Sequence, residues 1–226
     1  MPRLDQRLKA VAVEIRSGVH ADIGSDHGHL LKALLAAGRI RRGIAIENKS
    51  QPFANSRSTL VGLQAEVRFA DGLNGLMPGE ADSISLCGMG GRSVAEILDA
   101  HPDRVPPLVV VQPNRQPERV RAWGLRRGYR LVDERLTPGK RAFVVLRFQK
   151  VDAASGATGP TIIDPAYERL DAESALLFGP HLIRRWQSDF VAGLHKEQRY
   201  LTRLAGRNES SVGRLRAINR LLSEAR

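Results

Sequence analysis

The stretch Val19-His20-Ala21-Asp22-Ile23-Gly24-Ser25-Asp26-His27-Gly28-His29-Leu30 reads as a strand, a tight turn and the opening of a helix. An apolar run ends at Ile23, two glycines let the backbone reverse, and a helix is expected from Leu30 to Ala37. A strand ending in Asp-x-Gly brings the Asp22 carboxylate and the N–H groups at the helix start to one polar ligand. Nicotinamide enzymes carry G-x-G-x-x-G at this place. Only Gly24 and Gly28 stand here, without the close glycine pair that admits a pyrophosphate. An acidic strand tip suits a cationic ligand instead.

Working outward, short apolar runs at residues 19–24, 42–47, 65–71, 81–88, 108–114, 129–136 and 141–148 predict seven strands. The first five are separated by segments long enough for crossover helices, and the last two by the short turn Thr137-Pro138-Gly139-Lys140. This is the pattern of a doubly wound, Rossmann-like α/β sheet of five parallel strands plus a hairpin. Acidic residues recur at the strand ends: Glu47 and Asp71-Gly72 follow Asp22 at intervals of 25 and 24 residues. Glu47 suits two ribose hydroxyls and Asp71 the amino group of an adenine, at the sheet edge where ligands of open α/β sheets bind. The fourth strand runs into Cys87-Gly88-Met89-Gly90-Gly91-Arg92, whose glycines allow close approach to a ligand and open a helix over Ser93 to Leu98. The fifth runs into Gln112-Pro113-Asn114-Arg115, which would hold two amides at a pocket mouth to read a base edge, or only close the turn.

After Phe148 the segment 151–164 loses periodicity and reads as a linker. Leu182, Trp186, Phe190, Leu194, Leu201 and Leu204 then recur at helical spacing, and Leu215, Ile218 and Leu222 repeat it after the polar turn Gly206 to Ser211. Two helices in an antiparallel, coiled-coil hairpin are expected, so the domains divide at 1–160 and 161–226. Among 226 residues the single Cys87 cannot form an internal disulfide, and the spacings of a zinc site are missing; no metal is expected. Charges interrupt residues 1–18 every few positions, so neither a signal peptide nor a membrane span is expected, and the composition suits the cytoplasm. The net charge of +11 would attract a polyanion, with nucleic acid the commonest. Residues 151–226 hold 11 Lys plus Arg against 9 Asp plus Glu, so nearly all the surplus belongs to the sheet domain.

DIGSDHGHL, GLMPGEADSISLCGMGG and VVVQPNRQPERVRAW, with the opening RLKAVAVEI helix and the C-terminal helices, resemble the bacterial TrmK family of tRNA adenine-N1 methyltransferases over nearly the whole chain. The resemblance implies a class I methyltransferase fold with a small C-terminal coiled-coil domain. It further implies S-adenosylmethionine as methyl donor and N1 of adenine 22 in tRNA as acceptor; a monomer is expected. By that resemblance Asp22, Gly24, Ser25, Asp26 and His27 form the first cofactor loop, and Glu47 holds the ribose with Asn48 beside it. Asp71 and Gly72 would take the adenine, Gly88, Met89 and Gly90 the methionine part, and Gln112 and Asn114 the target base. Leu31 departs from the family pattern, which commonly has proline there. Adenine N1 already carries an in-plane lone pair, so alignment is the main demand on the site. A carboxylate on the N6 amino group would stabilise the cation that forms. Asp26 is the candidate for that role, capping of the following helix being the alternative, with Asn114 and Gln112 orienting the base. A competing reading is a non-enzymatic RNA-binding protein on a methyltransferase scaffold.

Overall fold

The structure, a computed structural model, describes residues 4–137, 139, 142–151, 164–204 and 209–224. The apolar runs form β1 (Val19–Ile23), β2 (Arg42–Glu47), β3 (Ala65–Phe69), β4 (Ser83–Cys87), β5 (Leu108–Gln112), β6 (Tyr129–Leu136) and β7 (Val144–Lys150). They make one sheet in the order β3-β2-β1-β4-β5-β7-β6, with β1 to β5 parallel. β7 lies between β5 and β6 and is antiparallel to both, which completes the expected five parallel strands and hairpin. The strand order turns back at β1, flanked by β2 and β4, so a crevice opens beyond the ends of β1 and β4.

Helices α1 (Gln6–Ala12), α2 (His29–Ala36), α3 (Ser50–Leu60), α4 (Gly91–Ala100) and α5 (Pro117–Arg127) accompany the strands. Val11 of α1 and the following Ile15 enter a buried cluster with Leu30, Leu31 and Leu34 of α2, Leu60 of α3 and Val110 of β5. Truncating one such leucine to alanine costs about 2–5 kcal/mol, so this packing fixes α1 firmly. Asp5 caps α1, its carboxylate accepting from the Leu8 N–H at 2.7 Å, and thereby sets the direction of Arg7 in the first turn. Leu31, where the family pattern has proline, is fully buried in the first turn of α2 and leaves the helix intact.

The chain forms two compact units, Met1–Ile162 and Ile163–Arg226. The second holds α6 (Ala172–Phe178), α7 (Pro180–Arg185), α8 (Ser188–Arg203) and α9 (Glu209–Glu224). The first helix expected from Leu182 to Leu204 is therefore broken. Trp186 takes a left-handed backbone (φ 43°), Gln187 is extended, and α8 restarts with Asp189 in its first turn. Trp186 stacks edge-on against Phe190 at 5.8 Å, so the apolar spacing of four continues across a break it does not reveal. α8 and α9 pair through Arg214 with Glu197 and through Gln198 with Asn219 (2.8 Å). The buried stripe of α9 is Ala217, Ile218 and Leu221 rather than Leu215, Ile218 and Leu222. α9 begins at Glu209, inside the turn expected at 206–211, of which 206–208 lie outside the described residues.

Candidate active site

The turn after β1 is built on left-handed backbone: Gly24 (φ 69°), Asp26 (φ 61°) and Gly28 (φ 67°). Gly24 N–H bonds Ile46 O at 2.8 Å, and His27 N–H bonds Ser25 O at 2.7 Å. Gly28 caps α2 without a side-chain bond, so the Asp26 carboxylate does not cap that helix. It is largely exposed, 3.7 Å from His27 Nε2, while its backbone N–H donates to Glu47 Oε1.

A cavity of about 680 Å³ opens beyond β1 and β4. Of the expected site residues, Asp22, Gly24, Ser25, Asp26, His27, Gly88, Met89 and Asn114 line it. The Asp22 carboxylate is buried and accepts from Ser85 Oγ at 2.6 Å. Burial raises its pKa, opposed by the Ser85 and Ser25 hydroxyls and by the charge of Arg7. The Ser25 Oγ is buried near Asp22 without completing a hydrogen bond of good geometry. Met89 lies over the turn, where a Cβ on residue 24 would meet its methyl at 2.5 Å.

The remaining expected residues flank the cavity. Glu47 is buried at the tip of β2, where Oε1 takes both the Asp26 N–H and the Ser56 hydroxyl (3.3 Å to Ser56). Burial pushes its pKa up, with the neighbouring Asp22 and Asp26 charges adding to the rise. Asn48 Nδ2 donates to Asp71 Oδ1 at 2.7 Å, which ties the ends of β2 and β3 together next to Gly72. Gly90 precedes α4 and bridges to Arg115.

Gln112 is not at the pocket mouth. It is fully buried, with Oε1 accepting from Arg7 Nη1 at 2.9 Å and Nε2 donating to Asn114 Oδ1 at 3.2 Å. Both ends of the amide are used inside the protein, so it acts on a ligand only by positioning Arg7 and Asn114. Asn114 itself is exposed and fastened to the glycine loop. Its N–H bonds Met89 O at 2.7 Å and its Nδ2 bonds Gly88 O.

Gly91 explains how the two loops come so close. Its N–H donates to Arg115 O at 2.8 Å, and a Cβ there would stand 2.0 Å from Gln116 O. The last glycine of GMGG thus serves backbone packing between the loops rather than approach to a ligand. Sequence reasoning missed Asp5, Arg7, Leu8, His29, Cys87 and Phe143 as lining residues. The signal for Arg7 was its place in the first turn of a helix capped by Asp5. His29 stacks on His27, ring centroids 5.3 Å apart. Among the described residues no group of three or more His, Cys, Asp or Glu is arranged to hold a metal ion.

A doubly wound sheet with buried acid at β1, a second acid at β2 and a glycine loop after β4 defines a methyltransferase domain, and residues 4–146 match the family model described as "Methyltransferase domain". The likeness extends past that domain. A Bacillus subtilis protein named tRNA (adenine(22)-N(1))-methyltransferase is 32% identical over 197 residues, 84% of this chain and 79% of the relative. The crystal structure of the Bacillus subtilis m1A22 tRNA methyltransferase TrmK superposes with a TM-score of 0.84 at 29% identity, covering 99% of both chains. A Streptococcus pneumoniae protein solved in complex with S-adenosyl-L-methionine superposes with a TM-score of 0.82 at 25% identity, covering 97% of this chain and 100% of that one. The chain belongs to the tRNA (adenine(22)-N(1))-methyltransferase family.

Proposed function

We propose that the protein transfers a methyl group from S-adenosylmethionine to N1 of adenine 22 in tRNA. The observation that carries the reading is the Asp22 carboxylate, buried at the cavity wall beside the free-standing Ser25 hydroxyl and bracketed by Arg7 and Asn114. The cavity lies within the roughly 300–1,000 Å³ typical of small-ligand sites. The lining fits the cofactor, with a carboxylate for the methionyl ammonium and a guanidinium for its carboxylate, while Glu47 and Asp71 at the flank suit ribose and adenine. Bound there, S-adenosylmethionine supplies an electrophilic methyl on a sulfonium.

The chain's own residues supply alignment and charge. Adenine N1 needs no prior deprotonation, so a site that holds the base rigidly gains most of its rate from orientation. Asn114 is suited to this, because Gly88 O and Met89 O fix it to the loop after β4 and Gln112, at the end of β5, holds its side-chain oxygen. Asp26 is the group suited to accept from N6 and stabilise the positive charge that develops on the base, a reading supported by its carboxylate being free of the helix cap and bordering the cavity. Arg115 and Arg119, both exposed beside Asn114, are suited to tRNA phosphates. No described helix is long and apolar enough to cross a membrane. On this reading the enzyme works as a monomer in the cytoplasm, where tRNA is. Incubation with labelled S-adenosylmethionine and bulk bacterial tRNA, followed by mapping of the modified nucleotide, tests it. Transfer to no tRNA overturns it.

A further inference from the structure

His20 and Asp22 lie two residues apart on β1, and Ser83 and Ser85 two apart on β4, so strand alternation puts all four on one face. The register pairs His20 with Ser83 and Asp22 with Ser85. Their side chains form a continuous line. Ser17 Oγ is 2.7 Å from Ser83 Oγ, which is 2.7 Å from His20 Nδ1; His20 Nε2 is 2.9 Å from Ser85 Oγ, which donates to Asp22 Oδ1 at 2.6 Å. His20, Asp22, Ser83 and Ser85 are all buried.

The direction of each bond follows from valence. An ionised carboxylate only accepts, so Ser85 gives its single proton to Asp22. The Ser85 oxygen must then accept, and the donor 2.9 Å away is Nε2–H of His20. An imidazole protonated there presents Nδ1 as an acceptor, which takes the Ser83 hydroxyl, and Ser83 in turn accepts from Ser17. Every donor in the line points toward Asp22, and aligned hydrogen bonds polarise one another in a low-dielectric interior. Were Asp22 to take a proton on Oδ1 and donate it to Ser85, each bond would reverse and the imidazole would change tautomer.

The geometry points to His20 as a positioning residue for the cofactor site: through Ser85 it keeps the Asp22 carboxylate ionised and turned toward the cavity, ready for the ammonium group of S-adenosylmethionine. The inference rests on reading Asp22 as the ligand of that group. Burial alone opposes the charge on Asp22, so a line of donors behind it has work to do. The same burial lowers the His20 pKa to about 3 and keeps the ring neutral, the only form that both donates and accepts.

The test uses the full chain and three readouts: nitrogen-15 NMR of the imidazole, calorimetric affinity for S-adenosylmethionine, and steady-state methylation. The expected spectrum at neutral pH is that of the Nε2–H tautomer. Ser85→Ala and His20→Phe should each weaken cofactor affinity about tenfold or more, the range of a hydrogen bond to a charged group. Combining them should be no worse than Ser85→Ala alone. His20→Gln, whose amide can donate to Ser85 and accept from Ser83, should restore most of the affinity. The loss should fall on KM for S-adenosylmethionine, leaving kcat and the KM for tRNA in place. A purely structural role would not move that ratio or be rescued by glutamine.

If His20→Phe fails to fold, Ser85→Ala removes one oxygen and carries the comparison. An Nδ1–H tautomer, or unchanged affinity in Ser85→Ala, overturns the inference. Asp22→Asn separates the two levels. If it loses the cofactor while Ser85→Ala does not, only the relay falls; if it too binds normally, the reading of Asp22 falls.

Discussion

Gly91→Ala is the sharpest perturbation the geometry offers. The added methyl would start 2.0 Å from Gln116 O, 2.8 Å from Gln116 C and 3.1 Å from Arg115 O, all of them backbone atoms that no rotamer change can move aside. Ordinary van der Waals contact needs about 1.4 Å more, so the loop after β5 must shift by about that amount. The shift stretches the 2.8 Å bond from Gly91 N–H to Arg115 O and pulls on Asn114, whose amide is tied to Gly88 and Met89 in the facing loop. Overpacking costs about 1–3 kcal/mol and the lost bond about 1 kcal/mol more, a large part of a marginal total stability. Misplacement of a positioning group by about 1 Å can also cost about a hundredfold in rate. The control is Gly90→Ala, one residue away, where a Cβ would meet only the Arg115 side chain at 3.6 Å or beyond. Urea denaturation of both variants and single-turnover methylation of Gly91→Ala should show Gly91→Ala impaired on both counts and Gly90→Ala close to the parent in its midpoint. A Gly91→Ala protein with parental midpoint and rate would refute the packing argument.

Three other perturbations have defined outcomes. Asp26→Asn keeps the left-handed backbone comfortable, because asparagine tolerates φ near 61° and the N–H to Glu47 is retained. It should therefore keep cofactor affinity in calorimetry but lose most turnover, and full turnover would remove Asp26 from the chemistry. Asp22→Asn should abolish S-adenosylmethionine binding while leaving the melting temperature at pH 7 unchanged or higher. Burial raises the Asp22 pKa in the fold, so the folded state binds the proton more tightly and stability falls as pH rises through that window; the asparagine removes this cost. Glu80→Gln should cost about 1 kcal/mol in urea denaturation at pH 7, because solvent screens much of the attraction in this part-exposed pair. Two bonds from Arg68 hold the Glu80 pKa at about 2, below the ordinary 4.5, so the contribution is present above 4.5 and lost as pH falls through about 2. Variant and parent should then converge in acid; a gap that persists there would mean a packing effect.

The seven strands were legible because each is a short apolar run bounded by turn residues, and the edge where the cavity opens because Asp22 and two glycines follow β1. The break at Trp186 was not, since Leu182, Trp186 and Phe190 keep a spacing of four through it. Gln112 looked like a surface amide because its sequence neighbours, Pro113 and Asn114, form a turn. Only the return of α1 over the sheet, which brings Arg7 to its oxygen, shows it buried. The place of Arg7 in the first turn of a capped helix was legible, but its role depends on contact with a residue 105 positions away. The His20 relay was written in the sequence as H-A-D and S-I-S, two polar alternations in otherwise apolar strands, but their pairing needed the β1–β4 register.

The most direct test of the central claim is methylation of two tRNA transcripts that differ only at position 22, one with adenine and one with guanine, using labelled S-adenosylmethionine and nucleoside mapping of the product. The account predicts one methyl per molecule, as 1-methyladenosine at position 22, on the first transcript and none on the second. Equal labelling of both, or label at any other nucleotide, would contradict it.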